Sequence, residues 1–120
     1  MNSERASEQI TRIVKSWPGV QAEHGGRGEF SFTINGLEIG HLHGDRAAHF
    51  VFPKPIWVKL REEKRIDFHP IFPDKPGLAS RPIVDQKDVD DVISLMRLNY
   101  ERIVERSRAK VLDGTPRELE

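Results

Sequence analysis

The chain has 120 residues, no cysteine, and 19 acidic residues balanced by 19 lysines and arginines, so its formal charge is zero at neutral pH. This length favours a single domain with one hydrophobic core. The absence of cysteine excludes disulfides and thiolate chemistry, and the neutral balance argues against a nucleic-acid binder, which needs a basic surface. No segment approaches the ~20 apolar residues of a membrane span, and the first residues lack the apolar run of a signal peptide. We therefore expect a cytoplasmic protein without membrane or nucleic-acid partners, and its oligomeric state stays open.

The first predicted element is an amphipathic helix over about residues 3–16. Ser3 could cap its start, and Pro18-Gly19 would end it. The apolar residues that share one face of this helix are Ala6, Ile10, Ile13, Val14 and Trp17. This face should pack on the core.

A β-hairpin is predicted next, after a weak strand candidate at 20–24 and a glycine-rich turn. Residues 30–34 and 37–43 both alternate apolar with polar side chains, and Asn35-Gly36 lies between them. An Asn-Gly pair between two alternating runs is the strongest short-range hairpin signal, because a type I′ turn needs positive φ at both central residues.

A two-residue turn also predicts the register of this hairpin. The expected opposed pairs are Ile34 with Leu37, Phe32 with Ile39, and Phe30 with His41. Because directly opposed residues share a face, His41 and His43 should point with the phenylalanines, towards the interior or a pocket at its margin. The same register predicts that Phe32 and Ile39 are buried, whereas Thr33 and Glu38 are exposed.

The second half of the chain predicts two more helices. Residues 46–52 are apolar only towards their end, and Pro55 favours the start of a helix over about 55–65. Residues 66–72 have the pattern of an extended segment. Leu78–Val84 can form one more strand, and its proline favours a position at the edge of the sheet.

The last helix, over about residues 86–108, has the clearest apolar periodicity. Asp85 and Asp88 form a capping-box-like pattern at its start. We therefore predict one α+β domain over residues 1–112, followed by a tail at 113–120. Its small antiparallel sheet has the hairpin at 29–43 in its centre, with three helices at about 3–16, 55–65 and 86–108.

The order of motifs resembles a known family. The motifs are WPGV from Trp17, the glycine-bearing turn, the Phe strand, EIGHLHGD, a proline-led helix, a histidine after that helix, and DVDDVISLMRLNYER. Together they resemble the small bacterial family labelled "luciferase domain", over nearly the whole chain and most specifically at GHLHGD. The family label itself implies little about light emission. The element order is also similar to MmcQ/YjbR-like double-wing domains, which is an analogy of fold only.

The resemblance implies that His41, His43 and Asp45 match the family motif and that His69 is similar to the histidine after the family's central helix. A neutral His-x-His pair on one strand face can place two nitrogens on one metal ion, and Asp45 or His69 could complete the ligands. Alternatively, the imidazoles are structural and hydrogen-bond to the backbone and Asp45. They could also line a pocket for an organic anion or another small ligand.

Two functions follow from these alternatives. The first is a small domain that binds a small molecule or a partner through a histidine-rich pocket formed by His41, His43, Asp45 and His69. The second is a metal-dependent or acid/base enzyme that uses the same four residues. No organic cofactor is predicted, and a divalent metal, if bound, would be held by the three histidines of this set. The other histidines, His24 and His49, are interpreted as surface or pocket-rim residues.

Overall fold

The computed structural model describes residues 4–25, 29–68 and 77–112. Within these ranges the chain forms three helices and six strands. In chain order the elements are α1 (Ala6–Lys15), β1 (Gln21–His24), β2 (Phe30–Ile34), β3 (Leu37–His43), β4 (Ala47–Val51), α2 (Lys54–Glu62), β5 (Asp67–Phe68), β6 (Leu78–Pro82) and α3 (Gln86–Leu112). The predicted α+β class with three helices and an antiparallel sheet is confirmed. The helix cap expected at Ser3 and the tail at 113–120 lie outside the described residues.

The six strands form one antiparallel sheet in the order β1-β2-β3-β4-β6-β5. The Asn35-Gly36 turn joins β2 to β3, and both of its residues have positive φ as predicted. A second hairpin joins β3 to β4 and pairs His41 with His49 and His43 with Ala47. The sequence pattern predicts no helix or strand for the segment that forms β4.

The hydrophobic core lies between one face of the sheet and the helices α1 and α3, which also pack on each other. The strands contribute Phe32, Ile39, Leu42 and Phe50, α1 contributes Ile10 and Val14, and α3 contributes Val92, Leu95 and Met96, all at most 1% exposed. None of the helices in the described ranges has the length and apolar character needed to cross a membrane.

The start of α3 is fixed by the predicted capping box. The Asp85 carboxylate accepts a hydrogen bond from the backbone N–H of Asp88, and the Asp88 carboxylate accepts one from the N–H of Asp85. These bonds satisfy N–H groups that the helix itself leaves without partners. Arg81 links this turn to the sheet, since it bonds both Asp88 and Asp91.

The register predicted for the first hairpin is wrong beyond its first pair. Ile34 lies opposite Leu37 as expected, but Phe32 lies opposite Gly40 and Phe30 opposite Leu42. The cause is a β-bulge in β3, where Ile39 is an extra residue between two paired neighbours. Phe32 and Ile39 are buried and Glu38 is exposed, as predicted, whereas Thr33 is half-buried.

Packing against α3 explains why the bulge forms at this point. A Cβ atom on Gly40 would lie 2.8 Å from Sδ of Met96 and 2.9 Å from Cδ1 of Phe50, so any other residue would have to displace these side chains. The buried Asn99 side chain donates a hydrogen bond to the carbonyl of the bulged Ile39, at 3.0 Å. The bulge shifts all later residues of β3 by one position. His41 and His43 therefore lie on the sheet face opposite the helices, and not with the phenylalanines as predicted.

Candidate metal centre

Three histidines meet on the open face of the sheet, which is the face away from α1 and α3. His41 and His43 are two residues apart on β3, and His49 lies directly opposite His41 on β4. The ring centroids of these residues are 4.9 Å (His41 to His43), 5.3 Å (His41 to His49) and 4.3 Å (His43 to His49) apart. We refer to these three residues as the histidine trio.

The ring nitrogens of the histidine trio are close enough to share one ion. Each residue offers a nitrogen, and these three nitrogens all lie within 4.8 Å of one another. The Nε2 atoms of His41 and His43 are 3.1 Å apart. Two nitrogens on one tetrahedral zinc ion, with bonds of ~2.0–2.1 Å, would be about 3.3 Å apart. The pair can therefore accept an ion with little movement. All three side chains are half-buried, so the site stays open to solvent.

Glu38 orients the first imidazole of the trio. Its carboxylate oxygen Oε2 lies 2.9 Å from Nδ1 of His41. An ionised carboxylate can only accept, so this contact assigns the proton of neutral His41 to Nδ1. The lone pair then lies on Nε2, which faces His43. A carboxylate that accepts from the far nitrogen of a histidine is the usual outer support of a metal-bound imidazole.

Two members of the histidine trio, His41 and His49, belong to a polar row that crosses the whole sheet. Because paired residues of antiparallel strands share a face, the cross-strand partners can be followed from edge to edge. The row runs Glu23, Ser31, His41, His49, Ser80 and Asp67. Ser80 is only 8% exposed, whereas the two acids at the ends are exposed. The two histidines of this row thus lie next to each other where β3 pairs with β4.

Asp45 and His69 were expected near His41 and His43. In the structure the Asp45 carboxylate accepts a hydrogen bond from the backbone N–H of Ser7 at 2.9 Å, in the first turn of α1. The side-chain and backbone hydrogen bonds from Ser7 lower the pKa of Asp45. Asp45 is not a member of the group that could share an ion. His69 lies outside the described residues.

His49 is the site residue that the sequence reasoning missed. The sequence analysis interprets it as a surface or pocket-rim residue because it lies outside GHLHGD, the most specific stretch of the motif. A second hairpin in the sequence could have revealed it. A turn centred on Asp45 places residue 49 opposite residue 41 on the neighbouring strand. His24, interpreted in the same way, is exposed and packs its ring edge-on against Phe30 with centroids 4.6 Å apart, on the same side of the sheet as α1.

The fold and the site together define a small α+β domain with a three-histidine candidate metal centre on its open sheet face. The profile of the Luciferase domain family matches residues 36–99, which is more than half of the 120 residues, and the chain belongs to this family. The match includes all three histidines of the trio and Glu38, and it confirms the resemblance found from the motifs. Searches among curated proteins and among solved structures found no match. The similarity to double-wing domains stays a prediction.

Proposed function

We propose that this protein binds a divalent transition-metal ion, with zinc as the first candidate, through His41, His43 and His49. The observation that carries the proposal is the convergence of three imidazole nitrogens within 4.8 Å. Imidazole is a preferred ligand of zinc, copper, nickel and iron, whereas magnesium and calcium prefer oxygen. A set of nitrogen ligands alone therefore favours a transition metal.

A small ligand is expected to bind to this ion. Tetrahedral zinc takes four ligands, and in the part of the chain that the structure describes no fourth histidine or acid joins the trio. The remaining position would be filled by water or by a small anion from the open face of the sheet. This proposal keeps the predicted ligand-binding domain but makes the ion the group that contacts the ligand.

A metal-dependent hydrolase is the second candidate, and the number of protein ligands favours it. Three histidines and one water are a ligand set of catalytic zinc, which lowers the pKa of bound water to ~7 and so supplies hydroxide at neutral pH. The Glu38 carboxylate would raise the basicity of the His41 ligand through its contact with Nδ1.

Metal analysis of protein purified without a polyhistidine tag tests the proposal. We expect one zinc ion per chain after equilibrium dialysis, and loss of that ion in His43→Ala and His49→Ala. His24→Ala is the matched control, because it removes an imidazole from the other face of the sheet, and it should bind zinc like the wild type. Wild-type levels of zinc in His49→Ala would contradict the proposed centre.

Spectroscopy and an ester substrate separate simple binding from hydrolysis. Cobalt in a tetrahedral site gives strong visible absorption, so the cobalt-loaded protein should be coloured and His43→Ala colourless. A hydrolase should also cleave p-nitrophenyl acetate at a rate that rises through a pH near ~7, the pKa expected for zinc-bound water. A coloured protein without this activity would leave binding as the function.

A further inference from the structure

A groove on the other side of β3 has the properties of a second binding site. It lies between α1 and the ends of β1, β2 and β3, and its volume is about 730 Å³. Leu42 and Gly44, which alternate with His41 and His43 along the chain, are part of its lining. Sites for small molecules have volumes of ~300–1,000 Å³. The groove is therefore large enough for a small organic ligand, and it is separate from the histidine trio.

The floor of the groove is apolar. Leu42 is 1% exposed and belongs to the core, and Phe30 is half-buried beside it. The ring of His24 packs edge-on against Phe30 and extends this surface towards the edge of the sheet. A ligand that covers the accessible part of Phe30 and His24 is stabilised, because apolar surface is removed from water.

The rim of the groove carries charged side chains of both signs. Three cations, Arg5, Arg12 and Lys15, and one acid, Glu8, line it. Two further acids lie beside the arginines, because Glu4 bonds Arg12 and Asp45 lies 4.0 Å from Arg5. The acids offset the charges of the two arginines, so Lys15 supplies the positive charge that the rim offers to a ligand.

The three cations of the rim differ in how they are already paired. Two short hydrogen bonds, at 2.9 and 3.0 Å, tie Arg12 to Glu4. Arg5 lies 3.7 Å from Glu8. The Lys15 side chain is exposed and makes no hydrogen bond or ion pair with any residue in the described ranges. Lys15 is therefore the cation best placed to meet a charge on a ligand.

We propose that this groove binds a free aliphatic carboxylate of medium chain length. The alkyl chain would lie on Phe30 and Leu42, and the carboxylate would meet Lys15 at the rim, with Arg12 next to it. An apolar floor and an unpaired cation at one end together fit an amphiphilic anion better than a fully polar or fully apolar molecule. This site shares no residue with the proposed metal centre and lies on the opposite face of the sheet.

Titration with decanoate below its micelle concentration, followed by amide chemical shifts in nuclear magnetic resonance, tests the proposal. We expect saturable shifts at Thr11, Lys15 and Phe30 around the groove. Two comparison ligands separate the contributions: 1-decanol has the chain without the charge, and acetate has the charge without the chain. Both should bind more weakly than decanoate. Equal binding of decanoate and decanol, or shifts that map elsewhere on the protein, would overturn the proposal.

Two variants of the groove sharpen the test. Lys15→Met removes the charge but keeps the apolar stem, so it should weaken decanoate binding by about fivefold, the factor that ~1 kcal/mol provides, and leave decanol binding unchanged. Lys59→Met, at an exposed lysine on α2, is the matched control and should bind both ligands like the wild type. Thr11→Trp should fill the groove and block both ligands. Circular dichroism confirms the fold of each variant, and unchanged decanoate affinity in Lys15→Met would count against the site.

Discussion

Glu38 and His41 are three residues apart on one strand, yet the Glu38 carboxylate lies 2.9 Å from Nδ1 of His41. In a regular strand, residues three apart point to opposite faces of the sheet. The extra residue Ile39 shifts the alternation by one and brings both side chains to the open face. The bulge thus creates the contact that orients the first imidazole of the proposed metal centre.

Removal of the Glu38 carboxylate should weaken zinc binding without unfolding the protein. Loss of such an outer support typically lowers metal affinity by 10–100-fold, which is the effect we expect for Glu38→Ala. The free energy of unfolding should change by less than ~1 kcal/mol, because the Glu38 side chain is exposed. Competition with a zinc-binding dye measures the affinity. Glu23→Ala is the control, because Glu23 lies at the exposed end of the polar row that contains His41. This variant should keep wild-type affinity.

The close packing of Gly40 on α3 predicts that a methyl group at this position lowers the free energy of unfolding. In Gly40→Ala the new Cβ would collide with Met96 and Phe50, and overpacking of this kind costs ~1–3 kcal/mol. Met96→Ala should make room for the new atom, so the cost of Gly40→Ala should be smaller in that background. Urea denaturation of the four proteins of this double-mutant cycle gives both values. Additive effects of the two substitutions would show that the methyl group and Met96 do not collide.

Asn99 should be important for stability although it is polar and fully buried. Its Nδ2 donates to the carbonyl oxygens of Ile39, at 3.0 Å, and Val51, at 3.2 Å. Asn99→Leu keeps a side chain of similar size but removes both donors, so it should lower the free energy of unfolding by ~1–3 kcal/mol. Denaturant midpoints measure this loss. Leu37→Ala, at a half-exposed position on β3, should cost less, and the opposite order would refute a clamping role for Asn99.

The hydrogen bonds to the Asp88 carboxylate predict a loss of folding stability in acid. The backbone N–H of Val84 donates to its carboxylate at 2.8 Å, and together with Asp85 and Arg81 it holds the pKa of Asp88 below its usual value. The unfolded chain has a carboxyl pKa of ~3.9. Because the folded pKa is lower, this contribution to stability is complete above about pH 5 and is lost as the pH falls through the folded pKa.

The stability difference between wild type and Asp88→Asn should therefore shrink between pH 7 and pH 3. Urea denaturation at pH 7, 5 and 3 measures it. Asp90→Asn, which removes one exposed carboxylate from the same helical turn, controls for the general loss of negative charge. A difference between wild type and Asp88→Asn that stays constant over this range would contradict the role assigned to Asp88.

Features set by neighbouring residues could be predicted from the sequence. The Asn35-Gly36 turn and the Asp85–Asp88 capping box depend on short stretches, and both formed as expected. The bulge at Ile39 could not be predicted, because it depends on α3 residues more than 50 positions away, Met96 and Asn99. The register error followed from this, and it placed two histidines on the wrong face.

The missing third histidine has a different cause. The strand β4 begins with two alanines, which are weak strand formers, so its pattern carries little β signal. Without that strand, His49 had no reason to lie beside His41. The partner of Asp45 was equally hidden, because Ser7 is 38 residues away along the chain.

The strand β3 separates the two proposed binding sites, which lie on opposite faces of the sheet. His41 and His43 face the metal centre, and Leu42 between them forms part of the floor of the anion groove. Leu42 is therefore bonded to two residues of the metal centre and itself lines the groove. Its amide resonance should respond to zinc and to decanoate in one sample. Any change in the positions of His41 and His43 on ion binding passes through this peptide unit to the floor of the groove. Saturation with one ligand should then change the affinity for the other by the same factor in both directions, because linkage between two sites is reciprocal.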